Sequence, residues 1–395
     1  MKNLSITLLL LLIAFGTEAV EKSYYISVGT DAVVKSSQSL IAPSMDILAE
    51  KDGVSLVKIT DGDLRSIHHM MHEEMNRCAG FKRYDSLDEA KSDLQMSEDN
   101  QGFMNFIFAD YSINKQDLVN SYINQVEPLN ILATIEKLAS FKNRYYQSQH
   151  GIDSQAWLKS KWESLVAHRT DASVEYFNHA RWGQPSLILT LKGKSTDTIV
   201  IGGHADSISG YWGRKEARAP GADDNASGIA TITEIIRVLV DNNYVPNKTI
   251  KFMGYAAEEV GLLGSKDIAN TYKAKGENVV GVVQFDMTNY NGSKLDIVMM
   301  SDFTNKSQNE FLGRLIDEYL PSVSWGYDKC GYACSDHASW TAAGYPSSMP
   351  FEATMKEMNH KIHTANDTLS QSRNNTDHAQ KFARLGLAFV TELDK

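Results

Sequence analysis

Positive charge is in short supply in this sequence. Across 395 residues, 39 Lys and Arg stand against 49 Asp and Glu, a formal net charge of −10. That balance argues against nucleic acid as a main partner, because phosphate recognition needs a basic face. Cysteine is scarcer, at three residues, Cys78, Cys330 and Cys334, and a metal site built from Cys alone needs more ligands than that. Long apolar runs are missing beyond the first 19 residues. Nothing downstream approaches the roughly 20 apolar residues that a helix needs to span a bilayer, so no membrane contact is expected. No internal repeat is visible. With 42% hydrophobic residues the chain can still bury the core of one large or two modest domains.

The one apolar run is N-terminal. MKNLSITLLLLLIAFGTEA has a Lys near its start, about a dozen apolar residues and small residues before a cut after Ala19. This is the pattern of a cleavable signal peptide over residues 1–19, so the protein is expected to be secreted and soluble. Cys330 and Cys334, in CGYAC, are spaced to close a very small loop. An oxidising compartment favours a disulfide there; two buried free thiols are the alternative. Cys78 has no assigned role.

Residues 20–106 read as a separate small α+β segment. YYISVGTDAVV and VSLVKIT look like strands, SIHHMMHEEM like a helix, and SLDEAKSDLQMSEDNQG like a charged linker. The His-rich SIHHMMH tract suits an ordinary helix and is given no metal role. From residue 107 to 395 strands and helices alternate. SLILTLKG, TIVIGG, TIKFMGYAA, NVVGVVQFD and LDIVMMSD are strand-like, and NVVGVVQFD is apolar at nearly every place, as in a sheet covered on both faces. Between them, Ile229, Ile232, Ile236 and Leu239 mark one face of a helix. The expected fold is α/β, with a mixed, mostly parallel central sheet and helices on both faces.

In such folds ligands sit beyond the carboxyl ends of the strands. There this sequence places His204 and Asp206, then Asp223 and Asp224 in a Gly-Ala-Asp-Asp turn, then Glu258 and Glu259, then Asp286. Carboxylates crowded together would be protonated or would destabilise the fold unless cations join them. His with Asp and Glu, without Cys, is a catalytic-type zinc donor set, and a two-metal site needs one bridging carboxylate. A second His is still missing if each zinc is to have one. His337, His360 and His363 are the candidates, and spacing does not choose among them.

HADS, PGADDNASGIA, AAEEVGLLGS, QFDMTNY, CGYACSDHASW and IHTANDTL together resemble the secreted bacterial leucyl aminopeptidases, a two-zinc metallopeptidase family. The resemblance runs from about residue 107 to the C-terminus, and by position it makes 20–106 an N-terminal propeptide, an inhibitor or folding aid removed by an activating protease, with a permanent accessory domain as the alternative. It implies two Zn2+ per chain. His204 and Asp286 would bind one, Glu259 and His363 the other, and Asp224 both. Asp206 would orient His204. Glu258 would be the general base and acid that deprotonates a metal-activated water and protonates the leaving amine, and the Tyr332 hydroxyl would stabilise the oxyanion. A cis Asp224–Asn225 peptide is also implied. Where the family's motif carries a third acid this chain has Asn225, which is not a ligand, so no loss of metal is expected.

The resemblance further assigns the specificity wall to Met287, Met300, Cys330, Cys334, Met349, Phe351, Met355, Met358 and Ile362. Methionines make an adaptable surface, so Leu, Met and Phe are the expected N-terminal residues of peptide substrates, and a monomer is the expected state. Two other readings stay open: a cyclising acyltransferase or another zinc exopeptidase on a similar fold, and a binding module with a relic site. Read without the resemblance, the apolar wall is simply core.

Overall fold

The computed structural model describes residues 22–38, 45–75, 77, 80–95, 108, 111–210 and 212–395. The proposed signal peptide, Cys78 and the start of the region after residue 95 lie outside the described residues.

The N-terminal segment is an antiparallel sheet with helices. Its elements are β1 (Ser23–Gly29), α1 (Thr30–Ser37), β2 (Asp46–Lys51), β3 (Val54–Thr60), α2 (Asp61–His69), β4 (Lys82–Tyr84) and α3 (Leu87–Gln95). The strands lie in the order β2-β3-β1-β4. Ile26, Val28, Val57, Ile59, Ile67 and Phe81 form its own apolar cluster. Thr60 starts α2 with a capping box, exchanging hydrogen bonds with Asp63. Two sequence expectations change here. The strand expected through YYISVGTDAVV stops at Gly29, and Thr30 opens a helix. Half of the expected linker is α3, whose Ala90 packs beside Leu56 and Tyr84, because a buried contact decides where charge content does not.

The rest of the chain carries α4 (Gln116–Ile123), α5 (Pro128–Ser140), α6 (Gln149–Val166), β5 (Ala172–Phe177), β6 (Ser186–Leu191), β7 (Thr198–His204), α7 (Ala226–Asp241), β8 (Thr249–Tyr255), α8 (Leu263–Lys275) and β9 (Val279–Gln284). There follow β10 (Ile297–Met300), α9 (Lys306–Tyr319), β11 (Trp325–Asp328), α10 (His337–Ala343), β12 (Ser347–Ser348), β13 (Pro350–Phe351) and α11 (Ala379–Leu393). The central sheet has the order β12-β9-β7-β8-β6-β5. β12, β9, β7 and β8 pair in parallel, and β6 and β5 extend the sheet antiparallel. The mixed, mostly parallel sheet expected from the alternation is therefore present.

Successive side chains of a strand point to opposite faces, and both faces are covered. Ile199, Ile201 and Phe252 pack with α5, α7 and α11. Val200, Met253 and Tyr255 pack with Ile268, Ala269 and Tyr272 of α8 and with Trp340 of α10. The predicted face of α7 is fully buried, and so is nearly all the rest of that helix. Its far side is covered by α5 and α11, which a one-sided periodicity does not anticipate. Each such buried Ile contributes about 1.5–3 kcal/mol of transfer free energy. A small second sheet has the order β11-β10-β13, and its Val298, Met300 and Phe351 pack in one cluster with Met287, which follows β9.

Candidate metal centre

The central strands β9, β7 and β8 are parallel neighbours, so their carboxyl ends deliver side chains to one edge. His204 is the last residue of β7; Glu258 and Glu259 come after β8, and Asp286 after β9. All four side chains are buried. His204 Nε2 lies 3.2 Å from Asp286 Oδ1 and 3.0 Å from Asp224 Oδ1. The other oxygen of Asp224, Oδ2, lies 3.1 Å from Nε2 of His363. His363 Nε2 is also 3.1 Å from Glu259 Oε2. One carboxylate thus faces two imidazoles, one with each oxygen.

The loops are held for this purpose. Gly221 turns the chain ahead of Asp224 with φ +51°, where a Cβ would meet the Asp224 carbonyl oxygen at 2.3 Å. Asp367 accepts the backbone N–H groups of Asp223 and Asp224 at 3.2 and 3.0 Å. The peptide between Asp224 and Asn225 is cis. Asn225 is no stray replacement of an acid: its side chain caps α7 at Gly228 N, accepts from Met287 N and donates to Phe285 O. Asp206 accepts the N–H groups of Glu258 and Glu259 at 3.1 and 3.2 Å, and faces His204 Nδ1 at 3.4 Å. Ala257, Met287 and His363 all have positive φ. Left-handed backbone in non-glycine residues is costly and gathers at functional sites.

Protein charges alone leave this cluster acid-rich. Burial, reinforced by Asp336, Asp286 and Glu259 and opposed by His204, holds Glu258 well above the usual carboxylate range. Burial and the Asp224 charge push Glu259 up to about 7, against the pull of His363. Burial disfavours charge on His363, yet Glu259 and Asp224 push it up to about 10. Glu259 and His363 do not hydrogen-bond with normal geometry despite their 3.1 Å separation. Such an arrangement suits two donor groups aimed at a common point rather than at each other. Carboxylate oxygens with imidazoles and no thiolate suit zinc, and His204, Asp224 and Glu259 each offer an atom within 4.8 Å of the others.

Beside Asp286 the wall is apolar. Met287, Cys330, Tyr332, Cys334, Met349, Phe351, Met355 and Met358 line a pocket with it. Met300 and Ile362 pack behind them in the same cluster. Cys330 and Cys334 are joined as a disulfide.

Residues 186–390 match the pattern of peptidase family M28. The chain belongs to that family. It is 40% identical over 283 residues to leucine aminopeptidase 1 of the fungus Pyrenophora teres f. teres (strain 0-1), covering 69% of this chain and 72% of the relative. Its structure is similar to that of the Legionella pneumophila LapA aminopeptidase, with TM-score 0.79, 28% identity, and 95% and 99% of the two chains covered. LapB from the same organism gives TM-score 0.77 and 29% identity over 94% and 100%.

Of the histidines left open by spacing, only His363 reaches the M28 site. His360 is exposed and contacts the Lys356 carbonyl. His337 is buried at the start of α10, where desolvation pushes it down to about 3. Sequence reasoning missed Arg144 and Asp367. Arg144 lies fully buried beneath the turn and donates to the carbonyls of Ala205 and Gly221, both at 2.9 Å. Nothing in its local sequence marks it. Asp367 stood inside the IHTANDTL motif and could have been found there. For Asp206 the geometry carries an expected result. Asp206→Asn keeps the size but weakens the hold on both glutamate amides, lowering metal affinity by about 10–100-fold, as a competitive chelator titration would measure.

Proposed function

We propose that this M28 peptidase is an exported two-zinc aminopeptidase that removes bulky apolar residues, Leu foremost, from the N-terminus of peptides. The observation that carries the reading is Asp224 facing His204 with one oxygen and His363 with the other. His204 and Asp286 would hold one ion, Glu259 and His363 the second, and Asp224 both. Zinc, when bound, supplies a Lewis acid that acidifies water and polarises the scissile carbonyl.

The chain's own residues do the rest. Glu258, buried and 4.0 Å from His204 Nε2, stands farther from that nitrogen than Asp224 and Asp286 do, at 3.0 and 3.2 Å. It takes a proton from water and delivers it to the nitrogen of the leaving amine; its raised affinity for protons suits both halves of that task. The Tyr332 hydroxyl, in the same pocket as Asp286, donates to the carbonyl oxygen as charge builds there. Surplus carboxylate charge attracts the free α-ammonium of a substrate, and the apolar wall receives its first side chain.

The acting form is a secreted monomer from which an activating protease has removed residues 20–106. Among the described residues no helix is long and apolar enough to cross a membrane. The test is leucyl-p-nitroanilide hydrolysis together with metal content. Metal without turnover of any aminoacyl substrate would favour the cyclase or relic readings. The pocket adds a second expected result. Replacing Leu by Ala in the substrate lowers kcat/KM by at least about 10-fold, since each missing methylene in such a pocket is worth roughly 1–3 kcal/mol. Replacing it by Asp abolishes measurable turnover, because a carboxylate would be desolvated without a partner. Equal rates for Leu and Asp substrates would refute the pocket assignment.

A further inference from the structure

The His-rich tract that looked like an ordinary helix ends at the metal cluster. α2 passes into a π-helical turn over Met70–Glu74, a rare geometry that gathers at functional sites. Its His72 is buried, with 4% exposure. The His72 ring lies on that of His363, with centroids 4.1 Å apart and planes tilted by 33°. His72, Glu259 and His363 each offer a ligand atom, and the three atoms lie within 4.8 Å of one another. His72 is therefore part of the cluster although it belongs to the N-terminal segment.

The docking that holds it there is anchored on both sides. On the glutamate side, Phe81 packs against Gly261, where a Cβ would come within 3.0 Å of its ring, and Arg83 N donates to the Gly261 carbonyl. On the pocket side, Arg77 lies over the Tyr332 ring at 4.8 Å and is paired with Asp31. Lys266 of α8 donates to the Arg83 carbonyl at 3.0 Å and pairs with Glu89 at 2.8 Å.

Zinc chemistry gives this contact a meaning. Glu259, His363 and Asp224 form a three-donor set, and catalytic zinc sites of that kind keep the fourth position for water or substrate. A fourth protein donor turns such a site into a closed, structural one. We propose that His72 is that fourth donor in the uncleaved chain: the N-terminal segment ligates the Glu259–His363 metal and so occupies the position the reaction needs. This rests on the two-zinc reading above. Cleavage of the segment removes a ligand as well as a cover, and opens the coordination position in the same step.

The test uses the full chain loaded with zinc, with zinc release to a chromophoric chelator as the readout, and the cobalt-substituted form for its visible spectrum. His72→Phe keeps a ring against His363 and has no donor atom. The expected result is that one of the two ions leaves His72→Phe at least about 10-fold faster than wild type, in the range for lost metal-site partners, and that the cobalt bands of that site change. Identical release rates and identical spectra would overturn the proposal and leave His72 a packing residue. If neither protein binds metal, the two-zinc reading fails instead. Should His72→Phe not fold, X-ray absorption on the wild-type zinc protein decides: three imidazoles per pair of ions support the ligation, and two exclude it.

Discussion

Glu258→Gln, made in the chain trimmed of its N-terminal segment, is expected to lower kcat on leucyl-p-nitroanilide by about 10²–10⁴-fold while the metal content stays at the wild-type value. The magnitude is that of a lost general base. The separation of chemistry from metal binding comes from the geometry. Glu258 is 4.0 Å from His204 Nε2, whereas Asp224 and Asp286 approach that nitrogen to 3.0 and 3.2 Å. Its backbone N–H is held by Asp206 whatever its side chain carries. A neutral amide of the same shape also suits a site where burial already disfavours charge, so the fold should survive. Steady-state kinetics with elemental analysis checks the result. A drop in kcat with KM little changed marks an interaction made in the transition state. Loss of metal together with activity would instead make Glu258 a ligand.

Much of this site was legible because its residues close strands that the sequence announces. β7, β8 and β9 are short apolar runs, and the residues at the end of each run land on one edge once the strands are parallel neighbours. His204 and Asp286 are 82 residues apart yet 3.2 Å apart in space for that reason alone. The second histidine was a different matter. His337, His360 and His363 are equally plausible candidates in a line of text. The left-handed turn at His363 and the burial of His337 at the start of α10 separate them. The N-terminal segment was the least legible part. Periodicity shows that SIHHMMHEEM is helical, and it is. It does not show the π-helical turn, nor the surface against which the helix lies. His72 acquires its surroundings from residues 259 and 363, so no local pattern could have revealed them. Arg144 is similar: a lone basic residue whose partners are carbonyls of a distant turn.

Asp224, the carboxylate proposed to bridge the two ions, carries the second large effect. Asp224→Asn should reduce metal affinity at both positions by at least about 100-fold, beyond the 10–100-fold typical of residues that only support ligands, and peptidase activity should fall with it. Burial raises the proton affinity of Asp224, but hydrogen bonds and charge from His204 and His363 overcome that and hold its carboxyl well below the usual range. It is therefore a charged carboxylate in the folded protein, with an oxygen for each imidazole. Asparagine offers one oxygen and one amide nitrogen. The nitrogen must point toward either the His204 side or the His363 side, so on the two-zinc reading one position would lose a donor, and both would lose the negative charge that would offset the ions. The backbone of the turn stays anchored by Asp367 through the amides of residues 223 and 224, so the loss should be of metal rather than of fold. Isothermal titration of zinc into the metal-free variant separates the cases. Two sites weakened together support the bridge. One site weakened and the other intact would mean that Asp224 serves a single ion, and the shared-carboxylate arrangement would have to be abandoned.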